Sequence, residues 1–170
     1  IIGKWENSTV EVDPQKYSIT HNLTISAKIR TKQTVADLVS KYDWRGKQRG
    51  YVFGIGGEGD KGSLPGHLFF WVSSRAESFN GITVYGSQPV NDGKEHLVAV
   101  EFVAGKSVRL FIDGIEDKAA RVSGRPPAFI ARSNRPLAIG SGYNGSSKAN
   151  AYRFEGELSE VHLSDQAVGD

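Results

Sequence analysis

The sequence predicts an all-β fold, a sandwich of two antiparallel sheets in the jelly-roll arrangement. Three observations carry this. Strand-like segments recur roughly every 8–15 residues, with turn residues between them. The 20 Gly and 6 Pro are scattered without a period, as many short turns require. No stretch keeps a helical apolar period over three turns. The length of 170 residues suits one domain with a sizeable core, so residues 1–170 read as a single unit.

Leu23–Thr31 alternates cleanly, with Leu23, Ile25, Ala27 and Ile29 on one face and Thr24, Ser26, Lys28 and Arg30 on the other. Ala36–Lys41 reads as a second strand, Asp43–Gly50 as a polar loop and Tyr51–Gly57 as a third strand. Glu58–Gly66 is a long turn region; His67–Ser73 is strand-like and strongly apolar; Gly81–Gly86 follows. In Asn91–Gly114, Val98, Val100 and Phe102 share one face, and Val108, Leu110 and Ile112 share another. Gly105 sits in the turn between those strands, and Asp113-Gly114 is a hairpin signal because both residues tolerate positive φ. Val98, Val100, Phe102, Leu110 and Ile112 are the expected core. Glu116–Val122 reads as a further edge strand and Ser123–Pro136, with three prolines, as loop. Leu137–Gly140 and Phe154–Leu163 close the sheet, the last strand returning beside the first.

The string from Asn91 to Gly114, with its N-D-G turn, xHxVAVxF strand, glycine turn and VxLxIDG strand, resembles the central hairpin of LamG-like domains. Phe154–Val161 resembles that family's closing strand, and Leu23–Arg30 its early strand, with Lys28 where a Trp is usual. The resemblance covers about Tyr17 to Ala167. It implies the concanavalin A-like jelly roll, in which most members bind sugars or cell-surface partners and some belong to polysaccharide-degrading enzymes. It also implies calcium, which laminin-type relatives bind through a rim Asp and backbone carbonyls. The matching rim around Arg49-Gly50-Tyr51 lacks that Asp, leaving Asp43, Glu58 and Asp60 as alternatives. Each reads first as a solvated acid, and no motif requires a cofactor.

Composition narrows the function classes. Without cysteine there is no disulfide, thiolate metal site or cysteine nucleophile. A net charge of +2 provides no field that demands nucleic acid. No segment has the apolar length to insert in a membrane. The chain begins Ile-Ile-Gly without an initiator Met, which is expected of a processed secreted protein or a piece cut from a larger one. The Asn-x-Ser/Thr sequons at Asn7, Asn22 and Asn144 are acceptors in a eukaryotic secretory route.

Gly54–Gly59 matches GxGxxG, but Asp60–Gly66 cannot start the helix a phosphate site needs. Glu155, Glu157 and Glu160 have the spacing of the ExDxxE signature of laminarinase-like glycosidases. The middle residue is Glu, the motif lies in the final strand, and the offset of five needs a bulge to bring both ends to one face. A solvated face is the stronger reading, so the chain is expected to be no enzyme. His21, His67, His96 and His162 show no metal-ligand spacing, and there is no G-x-S-x-G elbow.

A sugar site needs aromatic faces for C–H stacking and planar donors for hydroxyls. Tyr42, Asp43, Trp44, Arg45, Gln48 and Arg49 form such a set between two strands. Tyr143, Asn144 and Tyr152 form another, and Phe79 and Asn80 tip a third. Trp71 reads as core or concave-face packing and Trp5 as an N-terminal plug. The expected ligand residues are Trp44, Arg45, Arg49, Asp43, Tyr143 and Asn144, at a rim where the two loops meet. Basic clusters at Lys41–Arg49 and Arg121–Arg135 favour sugars bearing carboxylate or sulfate. The function expected is that of a non-catalytic, lectin-like module of a secreted or surface protein with further domains. Its rivals are a laminin-G-type protein-binding adhesion domain and a glycoside hydrolase or polysaccharide lyase.

Overall fold

The computed structural model describes residues 4–6, 10–12, 17–56 and 64–166. The expected plug role of the Trp5 side chain and the readings of Asn7, Glu58 and Asp60 lie outside the described residues. No helix occurs among the described residues. One sheet has six strands, in the order β1 (Lys4–Glu6), β13 (Glu157–Ser164), β3 (Leu23–Arg30), β8 (His96–Val103), β9 (Ser107–Ile112) and β10 (Ile115–Glu116). The other has seven, in the order β11 (Arg121–Gly124), β7 (Gly81–Pro89), β6 (His67–Ser73), β5 (Gln48–Ile55), β4 (Ala36–Asp43), β12 (Leu137–Ile139) and β2 (Val10–Val12). The described pairings within these sheets are antiparallel, from β1 against β13 to β12 against β2. The fold is the two-sheet sandwich the alternation predicts.

Side chains at every second position of the central strands meet between the sheets. Leu23, Ile25, Ala27 and Ile29 of β3 and Val98, Val100 and Phe102 of β8 are fully buried there. They face Tyr51, Phe53 and Ile55 of β5 and Leu68, Phe70 and Val72 of β6. The Phe70 and Phe102 rings, 6.4 Å apart, join one sheet to the other. Each large apolar side chain enclosed here contributes about 1.5–3 kcal/mol. Leu110 is buried as expected, but Ile112 is only half-buried, because it pairs with the two-residue edge strand β10.

Asp113 and Gly114 both take positive φ, 53° and 81°, as the predicted two-residue turn requires. This corner is clamped by His96. Its Nδ1 lies 2.8 Å from Asp113 Oδ2 and its Nε2 2.9 Å from Asp92 Oδ1.

Three stretches differ from the sequence expectation. Glu116–Val122 is not one edge strand. The chain leaves the six-stranded sheet after Glu116 and joins the other at Arg121. Asp117 fixes this crossing by accepting hydrogen bonds from the Ser87 N–H at 2.7 Å and the Ser87 hydroxyl at 2.6 Å. The loop placed at Asp43–Gly50 shrinks to Trp44–Lys47, because β4 and β5 run further than their apolar pattern shows. Finally, β1 and β2 add a strand to each sheet from a segment with no strand signal.

Candidate functional site

Strand β6, LFFWV at its centre, is apolar on both faces. Leu68, Phe70 and Val72 point into the sandwich, so Phe69 and Trp71 point out of it. Val52, Tyr85 and Tyr42 join them on the outer face of the seven-stranded sheet. Gly54 makes room: a Cβ there would strike the Phe69 ring. Three connections then bring their own aromatics. The Trp44 ring lies 4.7 Å from Trp71, 4.9 Å from Tyr42 and 6.3 Å from Tyr152. Phe79, 38% exposed, lies 5.1 Å from Trp71 on the other side. The Trp71 indole donates to the Tyr85 hydroxyl at 3.0 Å, fixing its ring.

The result is a run of rings, Tyr152–Trp44–Trp71–Phe79, half-buried except for Phe79. A buried layer of Tyr42, Phe69 and Tyr85 lies beneath it. Burial pushes the Tyr42 hydroxyl up to about 12, although Arg49 opposes this. The sequence reading kept Trp44 and Trp71 as separate alternatives; they are edge-to-face neighbours in one cluster.

Asp43 and Tyr143 are fully buried. Asp43 Oδ2 accepts from Arg135 Nε at 3.0 Å and Nη2 at 2.8 Å. Its Oδ1 accepts the N–H groups of Gly46 and Gly145 at 2.8 and 2.7 Å and that of Arg45 at 3.1 Å. Burial would raise this carboxyl, but the four donor residues outweigh it and hold it below the usual range. Gly46 is required, since a Cβ there would overlap Asp43 and Arg135. The Tyr143 hydroxyl donates to the Pro136 carbonyl at 2.7 Å, and the Arg135 guanidinium sits 5.9 Å from its ring centre. Arg49 donates to the carbonyls of Glu77 at 2.7 Å and Trp44 at 3.3 Å, tying two of the aromatic-bearing connections together. Arg45 is exposed and Asn144 half-buried, at the edge where the two loops touch. There the Trp44 N–H donates to the Tyr143 carbonyl at 3.3 Å.

The expected loops therefore do meet, with two kinds of member. Asp43, Tyr143 and Arg49 make the frame; Trp44, Arg45 and Asn144 lie at its surface. Sequence reasoning missed that Trp71 and Phe79 extend the same face. The available signal was the alternation in β6, whose two faces are both large and apolar.

A laminin-G-type family model described as the concanavalin A-like lectin/glucanases superfamily matches residues 4–170. The chain belongs to this superfamily. No curated protein matches it. Among solved structures it is similar to the mouse laminin alpha1 chain, domains LG4-5, at 17% identity and TM-score 0.62, covering 94% of this chain and 39% of that one. It is also similar to the CBM40 of the Ruminococcus gnavus IT-sialidase, at 13% identity and TM-score 0.62, covering 98% and 94%. The binding domain of Paraclostridial Mosquitocidal Protein 1 matches at 13% identity and TM-score 0.60, covering 98% and 40%. At these identities the likeness is one of fold, and the chain spans about two fifths of the laminin pair.

Two expectations tied to the superfamily have definite placements. Asp43 does not suit a calcium ion, because every group that contacts its carboxylate is a donor. Among the described residues no group of three His, Asp or Glu side chains is arranged to hold a metal. Of the ExDxxE-like spacing, Glu157 and Glu160 belong to the other sheet and Glu155 precedes its strand β13. A bulge, which the offset of five would need, lies between Ser159 and His162, with Glu160 at φ 50°. Glu160 pairs with Lys28 at 3.0 Å and Glu157 with Arg30 at 3.4 Å, while Glu155 is exposed.

Proposed function

We propose that this chain is a non-catalytic carbohydrate-binding module whose ligand lies along the Tyr152–Trp44–Trp71–Phe79 run. The observation that carries this reading is the run itself. Four rings from separate parts of the chain converge on the outer face of a sheet whose core lies on the other side. Sandwich folding needs no such layer, whereas sugar C–H faces stack on one. Arg45 and Asn144 supply donors at the rim, and exposed Lys47, Arg75 and Lys148 make its surroundings basic. That charge favours sugars bearing carboxylate or sulfate groups. Asp43, Arg135, Tyr143 and Arg49 hold the loops so that the platform is preformed. The non-catalytic reading is supported by the pairing of Glu157 and Glu160 with cations, and by the binding domains among the fold neighbours. Such a module belongs to a secreted or surface protein with further domains.

A glycan array with the parent chain, Trp44→Ala and Trp71→Ala, each with and without EDTA, tests this. Either substitution should weaken binding by about 1–3 kcal/mol with the circular dichroism unchanged, and EDTA should have no effect. Full binding by both variants refutes the platform. Binding to protein partners but to no glycan selects the laminin-G-type adhesion role instead.

A further inference from the structure

Three buried side-chain atoms among the described residues complete no hydrogen bond: Asp37 Oδ2, Trp44 Nε1 and Glu101 Oε2. The first two are neighbours. Asp37 is 2% exposed, on the outer side of β4. Its own N–H donates to the Tyr152 carbonyl at 2.9 Å. Its carboxyl lies against Gly142, where any Cβ would overlap Oδ2. Gly142 is itself pinned by paired backbone hydrogen bonds with Ala151, at 2.8 and 3.1 Å. Gly142 is therefore fixed where only a glycine admits the enclosed carboxyl. The Trp44 indole N–H bears on it, without reaching the geometry of a finished hydrogen bond.

We propose that Asp37 is a positioning residue of this face: its enclosed carboxyl, wedged against Gly142, holds the Trp44 indole at the tilt a ligand meets. The proposal rests on the platform reading above. A charged carboxylate so enclosed and without a cation is costly, so the group stays protonated. Burial pushes its pKa well above the ordinary carboxylate range, and the Trp44 N–H draws it back only in part. The other groups nearby are accounted for. Lys41 and Asp43, on the same strand, bind Arg135. Arg49 acts on Tyr42, whose hydroxyl burial pushes up to about 12. The Tyr42 and Tyr152 rings border the same indole.

The sign follows from linkage. The unfolded chain releases this proton at the ordinary value while the folded chain keeps it. Asp37 therefore lowers stability as pH rises from about 4 through its raised folded value. Asp37→Asn, which imitates the protonated acid, should melt higher than the parent at pH 8, with the gap closing at pH 4.

The deciding experiment follows the three indole N–H signals of the 15N-labelled chain by NMR between pH 4 and 10. The Trp44 signal is identified by its loss in Trp44→Phe. It should shift in one transition above the ordinary carboxylate range, and Asp37→Asn should abolish that transition. No transition in the parent, or its survival in Asp37→Asn, overturns the proposal, whether or not any glycan binds. A heparin hexasaccharide serves as the anionic probe. Asp37→Ala should weaken its binding roughly tenfold, and Asp37→Asn should restore it to within about twofold of the parent, well under 1.4 kcal/mol. If the parent does not bind the hexasaccharide, the anionic-sugar reading falls while the NMR result still decides the role of Asp37.

Discussion

The two sheets obey one alternation yet turn different chemistry outward. On the six-stranded sheet the outward side chains include Lys28, Arg30, Glu157 and Glu160, which find partners among themselves. Glu101, 1% exposed, is gripped there by Arg109 through Nε at 2.9 Å and Nη2 at 2.5 Å. On the seven-stranded sheet the outward side chains include Tyr42, Phe69, Trp71 and Tyr85, with Trp44 laid over them. A sandwich needs only its inner faces to be apolar, and the first sheet shows how the outer face is ordinarily finished. The second departs from this and encloses its departure in rings and a fixed pair of loops. The difference separates what the fold requires from what it carries.

The sharpest way to break the contrast is Arg135→Ala. It leaves Asp43 as an uncompensated buried charge under the platform and should cost about 3–5 kcal/mol by urea denaturation. A loss below about 1 kcal/mol would mean the loops are held by something else. On the other sheet, Arg109→Ala strips the cation from Glu101 and should cost about 2–3 kcal/mol while leaving glycan binding untouched. An equal fall in binding would put a ligand on both faces and end the comparison.

A smaller effect lies in the His96 clamp. Burial would lower the His96 pKa, but Asp113 and Asp92 outweigh it, so the folded value lies above 6.5. Its contribution is therefore complete below about pH 6.5 and lost as pH rises through that raised value. Asp92 and Asp113 are held below 3.8, in each case chiefly through hydrogen bonds that include His96. Their share is present above that pH and lost as it falls through their folded values. The urea midpoint of the parent should thus decline on both sides, and that of His96→Gln less so; parallel curves would discount the clamp. Glu160→Gln, on the charged face, should change neither the melting midpoint measurably nor any glycan affinity.

How far these features could be read from sequence depended on where their partners lie. The hairpin through Val98 and Leu110 was legible residue by residue because one face meets the core and the other water. The Asp113-Gly114 turn was legible because its backbone conformation selects its residues. Strand β4 was legible only as far as Lys41, since both its faces are covered and no alternation marks its last two residues. Asp43 looked like a loop acid because its partners Arg135 and Gly145 lie 92 and 102 residues away. Trp44 and Trp71 could be singled out separately, but their contact follows from the order β6-β5-β4 and from a turn that folds back over the sheet. Composition could place neither.

One feature of the edge bears on how the module would carry load. Strand β1 lies against β13 with Lys4 opposite Ser159 and Glu6 opposite Glu157. The chain therefore enters β1 at the same end of the pair from which it departs along β13. Tension applied to the two flanks meets this short ladder one rung at a time, as a zip opens, instead of loading its rungs together in shear. Once β1 has peeled, the pull passes to β2, held on the opposite sheet by Leu137–Ile139. A pull on the two flanks is therefore expected to open this seam first, ahead of the longer pairings of β6 with β5 and β7.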